Sequence, residues 1–238
     1  MTTAAVPRSA IRIPARRAAW GELAGLLELP RLLLCAPSLA RAPRGDGSPV
    51  VVLPGFATDD VAMALLRGYL TFLGHDAHPW GLGRNDGDVP RLLPLLVSRV
   101  AALHRSTGRL VRLVGWSLGG YLAREVSRDV PGDVDRVVTL GTPVVGGPKY
   151  TLAARAYRRR GADMDAIEAA VDAREEVPLT RPVSAIYSRK DGVVAWQACV
   201  DERNACVDHV EVSSTHLGMA LSPDVYLLVA RCLARPVM

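Results

Sequence analysis

Cysteine is scarce in this chain. Four cysteines in 238 residues cannot form a disulfide scaffold at this length, and neither a CxxC nor an HExxH spacing occurs, which excludes the common zinc patterns. Cys199 and Cys206 could pair if the loop between them folds back, with free thiols as the alternative, while Cys35 and Cys232 read as small apolar fillers on helices. No uncharged apolar run of about 18 residues occurs, so a bilayer-spanning helix is not expected. The net charge of +5 comes almost wholly from arginines scattered along the chain, without a basic stripe interleaved with aromatics, and this argues against a nucleic-acid partner. The one cluster, Arg158 to Arg160, reads as a solvated helix face.

Arg8, Arg12, Arg16 and Arg17 precede apolar residues as a targeting signal would. Glu22, Glu28, Pro30 and Arg31 interrupt that apolar region, however, and Leu34 is too bulky for a lipoprotein cleavage site at Cys35. A soluble protein resident in the cytoplasm is the expectation. Residues 17 to 40 then form an apolar arm with Trp20, Leu23, Leu26, Leu27 and Leu32 to Leu34. Packing onto the body is its expected role, and peripheral contact with a membrane or lipid surface through an amphipathic helix is the alternative.

With 49% hydrophobic residues, the chain can bury one large core. Residues 49 to 53 (PVVVL) are continuously apolar, as a strand buried on both faces must be. A helix over 60 to 73 follows, with Val61, Leu65, Tyr69 and Leu73 as its buried row, Asp59 or Asp60 as N-cap and Gly74 as terminator. A short strand near 75 to 80 leads through a Gly/Asn/Asp loop to a helix opening at Asp88, with Pro90 in its first turn and Leu92, Leu96, Val100 and Leu103 inward. Strand 109 to 114, helix 118 to 129 and strand 134 to 140 continue the alternation. This predicts an α/β fold with a mostly parallel central sheet flanked by helices. The pattern breaks over 145 to 180, read as a small helical cap. Strands at 182 to 187 and 209 to 213 and a helix over 223 to 234 complete a core made of 49 to 144 and 181 to 238, with 1 to 48 as the N-terminal arm.

Gly115-Trp116-Ser117-Leu118-Gly119 is a G-x-S-x-G string, weak by itself but placed directly after an apolar strand and at the opening of a helix. That is the strand-turn-helix setting of a nucleophile elbow, in which a strained serine projects above the sheet and glycines avoid collisions. A Gly-rich turn with an incidental serine is the alternative. A serine hydroxyl needs a base, and the base needs an orienting acid. In this arrangement the chain order is serine, acid, histidine, which disqualifies His75, His78 and His104. His209 opens a strand and reads as structural. His216 lies in a loop after the last strand and is the candidate base. Asp191, in the turn after strand 182 to 187, is the candidate acid, with Asp201 and Asp208 in reserve. The amides of Leu118 and Phe56 are the candidate oxyanion donors, with a simple Pro-Gly turn as the alternative reading of residues 54 to 56.

The segments PGF at 54 to 56, GWSLGG at 115 to 120, LGTP at 140 to 143, KDGVV at 190 to 194 and STHLG at 214 to 218 resemble the α/β-hydrolase superfamily, especially its small lipases and esterases. WGLGRN at 80 to 85 is similar to a loop of bacterial hydrolases of this group. The resemblance implies a Ser-Asp-His hydrolase without metal or organic cofactor. Trp116 stands where many lipases carry histidine, which leaves substrate class open. The expected partner is a small-molecule acyl ester, with Trp80 and Trp116 as candidate substrate-binding residues and the acyl pocket lined from the cap and the Trp80 loop. An acyltransferase using the same three residues, or a non-catalytic ligand-binding protein on the same scaffold, are the rival readings.

Overall fold

The computed structural model describes residues 8, 11 to 15 and 17 to 235; Arg16 of the basic N-terminal group falls outside these. The chain begins with an arm of short helical pieces: α1 (Ala18–Gly21), a 3-10 turn (Glu22–Leu27), α2 (Glu28–Leu34) and α3 (Ala36–Leu39). It continues through β1 (Pro49–Leu53), α4 (Ala64–Leu73), β2 (Asp76–Pro79), α5 (Val89–Thr107), β3 (Val111–Trp116), α6 (Leu118–Asp129) and β4 (Val134–Leu140). Next come α7 (Ala154–Arg159), α8 (Met164–Glu175), β5 (Val183–Tyr187), β6 (Val207–Glu211), α9 (His216–Met219) and α10 (Pro223–Ala234).

The strands form one six-stranded sheet in the order β2-β1-β3-β4-β5-β6, and every neighbouring pair is parallel. Alternation along β1 decides the two sides of the core. Val50 and Val52 join α4, α10 and Leu39 of the arm on one face, while Val51 and Leu53 join α5, α6 and Trp80 on the other. A parallel sheet must be covered on both faces, which is why β1 and β4 are buried throughout their lengths.

The strand order has a further consequence. From β1 the chain steps outward to β2 and then returns across β1 to β3. The C-terminal ends of β1 and β3 therefore flank a topological switch point, where the connections diverge and leave a crevice. Both turns singled out in the sequence, 54 to 56 and 115 to 119, lie there.

Several local expectations shift. The helix after β1 starts at Ala64 rather than at 60, and Val61 and Leu65 are exposed; Met63, Leu66, Leu70 and Leu73 supply the buried row. Asp60 does not cap this helix. Its carboxylate accepts the amides of Trp80 at 2.9 Å and Gly81 at 3.2 Å, pinning the end of β2. The strand expected at 109 to 114 runs from Val111 to Trp116 because Gly115 and Trp116 pair with Thr139 and Leu140 of β4. The strand expected at 209 to 213 begins two residues earlier, at Val207 opposite Val183.

Residues 145 to 180 hold a 3-10 turn, α7 and α8. Asp163 caps α8 by accepting the amides of Asp165 and Ala166. The C-terminal end of α8 is tied to α6 by buried charge. Arg124 donates to Asp201 at 2.6 Å and to Glu175 at 3.2 Å, Arg128 donates to Glu175 at 2.8 Å, and Arg174 pairs with Glu125 and Asp129. These ion pairs explain how Arg124, Glu125 and Arg128 can all be buried on one helix. All four cysteines are free, and the Cys206 thiol donates to the carbonyl of Leu179 instead of pairing with Cys199.

Candidate active site

Ser117 stands between β3 and α6 with φ 54° and ψ −122°. Among the described residues, only Ala57 shares with it a positive φ on a non-glycine residue. Such a backbone costs on the order of 1–3 kcal/mol and persists only where its surroundings fix it. Here the Ser117 amide donates to Leu140 O at 2.8 Å, and its carbonyl accepts Thr142 Oγ1 at 2.9 Å and Gly120 N at 3.0 Å. Gly119 allows α6 to start so close to β1: a Cβ there would sit 2.5 Å from Leu53 O and 2.6 Å from Pro54 O.

Ala57 belongs to the turn after β1, the other side of the crevice. Asn85, fully buried, holds that turn by donating from Nδ2 to Pro54 O at 2.9 Å and from its amide to Thr58 O at 2.8 Å, while its own carbonyl accepts Ala57 N at 2.7 Å. Among the described residues no acceptor pairs with the amides of Phe56 or Leu118, so both are free donors beside Ser117. All three residues line a cavity of about 340 Å³.

Asp191 follows β5 and is almost wholly buried. Its Oδ1 accepts the amides of Val193 at 2.8 Å and Val194 at 2.7 Å, which fixes the carboxylate, and its Oδ2 accepts His216 Nδ1 at 2.6 Å. That bond commits Nδ1 and leaves Nε2 as the basic nitrogen. His216 opens α9, whose N-cap Thr215 accepts the amide of Gly218. Gly141, at φ +55°, passes beneath the pair; a Cβ would lie 3.0 Å from His216 Nδ1 and 3.1 Å from Asp191 Oδ2. Ser117 is linked to this pair through its neighbour. Trp116 Nε1 donates to His216 O at 3.1 Å, with the two rings 5.4 Å apart.

The reserve acids are engaged elsewhere, Asp201 with Arg124 and Asp208 with Arg235. His209 accepts the amide of Asp201 at Nε2, and burial pushes its pKa down, as an imidazole serving as acceptor requires. Among the described residues no three His, Cys, Asp or Glu side chains cluster as a metal-ligand set.

Both candidate substrate-binding tryptophans have other positions. Trp80 has no exposed surface: it packs in the core against α5, and its indole donates to Gly83 O at 2.8 Å. The loop carrying it turns its bulk inward because Asp60 holds its backbone. Trp116 backs His216 rather than lining the cavity. The walls come from Val89 and Leu93 of α5, from Leu118 and Tyr121 of α6, from Tyr157 of α7 and from Ile167 of α8. Tyr157 stacks on Phe56 with centroids 5.0 Å apart, and burial pushes its phenol up to about 12. Arg160 is exposed, as expected for a solvated face, and its guanidinium lies over the Phe56 ring, 5.4 Å from the centroid.

The parallel sheet with helices on both faces is similar to that of solved structures. A Bacillus licheniformis lipase in its mature form is similar over 81% of this chain and 94% of its own, with a TM-score of 0.64 and 16% identity. The chain has the α/β-hydrolase fold. A structure from work on LipS and LipT, two metagenome-derived lipolytic enzymes, is similar over 81% of this chain and 94% of its own, with a TM-score of 0.63 and 16% identity. An α/β superfamily hydrolase from Oenococcus oeni is similar over 79% and 92%, with a TM-score of 0.57 and 16% identity. No protein-family model matches the chain, and no curated protein sequence does.

One residue of the site has no counterpart in the sequence expectations. Glu22, from the N-terminal arm, is 4% exposed and accepts the amides of Gly192, His216 and Leu217. Its only sequence signal is that it is one of two acidic residues in an apolar segment.

Proposed function

We propose that the protein is a serine hydrolase that cleaves carboxylic esters with Ser117 as nucleophile, His216 as base and Asp191 as the acid that orients it. The observation that carries this reading is the 2.6 Å contact of His216 Nδ1 with Asp191 Oδ2, together with the strained backbone of Ser117 at φ 54°. Ser117 Oγ attacks the acyl carbonyl as His216 Nε2 takes its proton, and Asp191 stabilises the resulting imidazolium. The developing oxyanion receives the Phe56 and Leu118 amides, each donor contributing roughly 3–4 kcal/mol by analogy with measured donor removals. Collapse expels the alcohol, protonated by His216, and leaves an acyl-enzyme. Water, deprotonated by the same imidazole, then releases the acid.

The apolar cavity walls support an ester with an aliphatic acyl chain. The arm adds to this reading. Trp20 is 77% exposed and Leu34 is 80% exposed, close in sequence to the exposed Arg17 and Arg31, a combination suited to a lipid surface with anionic headgroups. No described helix is long and apolar enough to cross a membrane. Four free thiols suit a reducing compartment, and residence in the cytoplasm belongs to the same proposal.

A fluorophosphonate probe tests the chemistry. Wild-type protein is expected to label and Ser117→Ala to remain unlabelled; equal labelling of both would defeat the assignment. Rates on p-nitrophenyl esters of graded acyl length test the substrate class, with a maximum at acetate counting against the aliphatic-chain reading.

A further inference from the structure

Two separate loops must hold their places for Asp191 to meet His216: the turn after β5 and the segment entering α9. The carboxylate of Glu22 touches both. Oε1 accepts Gly192 N at 2.7 Å and His216 N at 3.1 Å, and Oε2 accepts Leu217 N at 2.7 Å. Gly192 directly follows the candidate acid, and His216 is the candidate base. These are backbone bonds, so the carboxylate acts on where the two side chains originate.

The arm reaches this position because two glycines let it. At Gly25 a Cβ would lie 2.6 Å from Gly218 N, and at Gly192 one would lie 2.6 Å from Ala18 O and 2.8 Å from Glu22 Oε1. The backbone of the arm therefore lies directly on both loops. A buried carboxylate with three donors is well compensated, whereas three buried amides without it would each be unsatisfied, at about 1–3 kcal/mol apiece.

We propose that Glu22 is a positioning residue for catalysis, a carboxylate from the N-terminal arm that clamps the Asp191 turn to the His216 segment and keeps imidazole and acid in register. This rests on the hydrolase reading above. Glu22 does not contact substrate; it acts through the backbone amides of Gly192, His216 and Leu217.

The test uses the full chain with Glu22→Ala, Glu22→Gln, Gly25→Val and, as a control on the same arm, Glu28→Gln, whose carboxylate faces Arg31 rather than the loops. Glu22→Ala is expected to lower kcat about 100-fold, the loss typical of a small misplacement of reacting groups, with KM within about twofold because the cavity walls are untouched. Fluorophosphonate labelling slows in parallel, and the far-downfield proton resonance of the His216–Asp191 bond broadens or disappears. Glu22→Gln, which keeps one acceptor oxygen and the shape, restores part of kcat. Gly25→Val, which pushes the arm away with Glu22 intact, reproduces the loss. Glu28→Gln retains wild-type kcat and the resonance.

The proposal is overturned if Glu22→Ala labels at the wild-type rate, if the downfield resonance is unchanged while kcat falls, or if Glu28→Gln loses as much activity as Glu22→Ala. Should Glu22→Ala fold too poorly to assay, Glu22→Gln against Glu28→Gln decides by the same criteria. Labelling that survives Ser117→Ala sinks the hydrolase reading itself. Labelling lost there but untouched in Glu22→Ala removes only the clamp.

Discussion

Asn85 donates through Nδ2 to the carbonyl of Pro54 across 2.9 Å, from a side chain with no exposed surface. The amide thus ties the Gly-rich loop after β2 to the turn that follows β1, where Phe56 offers its N–H. Asn85→Ala leaves that carbonyl unsatisfied and loosens the turn, although the backbone bond from Ala57 N to the carbonyl of residue 85 remains. A stability loss of about 1–3 kcal/mol is expected, with a kcat loss of roughly tenfold or more as the amide drifts from the oxyanion. Urea titration and ester kinetics measure the two effects, and unchanged kcat would show that the turn does not depend on this bond.

Gly141→Ala is expected to damage the acid–base pair without touching either member. The new methyl must enter space 3.0 Å from His216 Nδ1 at a backbone of φ +55°, strained for any L residue. Activity should fall at least tenfold, roughly what a displacement well under an ångström costs, while circular dichroism stays native.

Arg124 is the hub of the charge cluster joining α6 to the end of α8. Arg124→Ala leaves the buried Asp201 without its guanidinium partner, while Glu175 keeps Arg128, and should cost about 3–5 kcal/mol. Chemical denaturation reads this directly; a loss below about 1 kcal/mol would mean that water replaces the guanidinium.

Acid should weaken the fold in two stages. Burial, with the Arg112 charge adding to it, pushes His75 below its ordinary 6.5, and burial does the same to His209. Each is neutral when folded yet binds a proton when unfolded, so the stability is present above pH 6.5 and declines as pH falls through the lowered values. Asp135 moves the other way relative to its burial: desolvation raises its pKa, but hydrogen bonds from Arg136 and Arg112 outweigh it and hold it below 3.8. Asp201 is likewise held below 3.8, Arg124 overcoming desolvation. The melting temperature should be level above pH 7, fall from about 6.5, and fall again below about 4. His75→Phe should flatten part of the first descent; a profile level down to pH 5 would contradict the account.

For the arm, Trp20 gives its own readout. Vesicles containing anionic phosphatidylglycerol should shift its fluorescence to the blue, vesicles of phosphatidylcholine alone less so, and Trp20→Ser should weaken binding. No shift with either composition would remove the lipid surface from the proposal.

The regular core was readable because burial on both faces leaves few choices. Helix 118 to 129, strand 134 to 140 and helix 223 to 234 have the bounds expected from composition and turn residues. The row Val61, Leu65, Tyr69, Leu73 failed because a strict four-residue step drifts about 40° around a helix at each repeat, so the true stripe mixes threes and fours. A large aromatic in a Gly-rich loop suggests a pocket wall, yet the hydrogen bonds that the Trp80 and Gly81 amides donate to Asp60 accompany an inward turn of the ring. The turn position of Ser117 and the meeting of Asp191 with His216 follow from strand ends and chain order; their catalytic roles belong to the proposal. Glu22 was not legible, since its acceptor role toward Gly192 depends on a contact 170 residues away, which no local pattern announces.

The two strained residues, Ala57 and Ser117, crown neighbouring central strands. Their tension is therefore stored in one shared patch of the sheet, and any loosening of β1 against β3 releases both together. Reactivity in such a molecule should vanish as a threshold event on heating, ahead of the melting of helices further out.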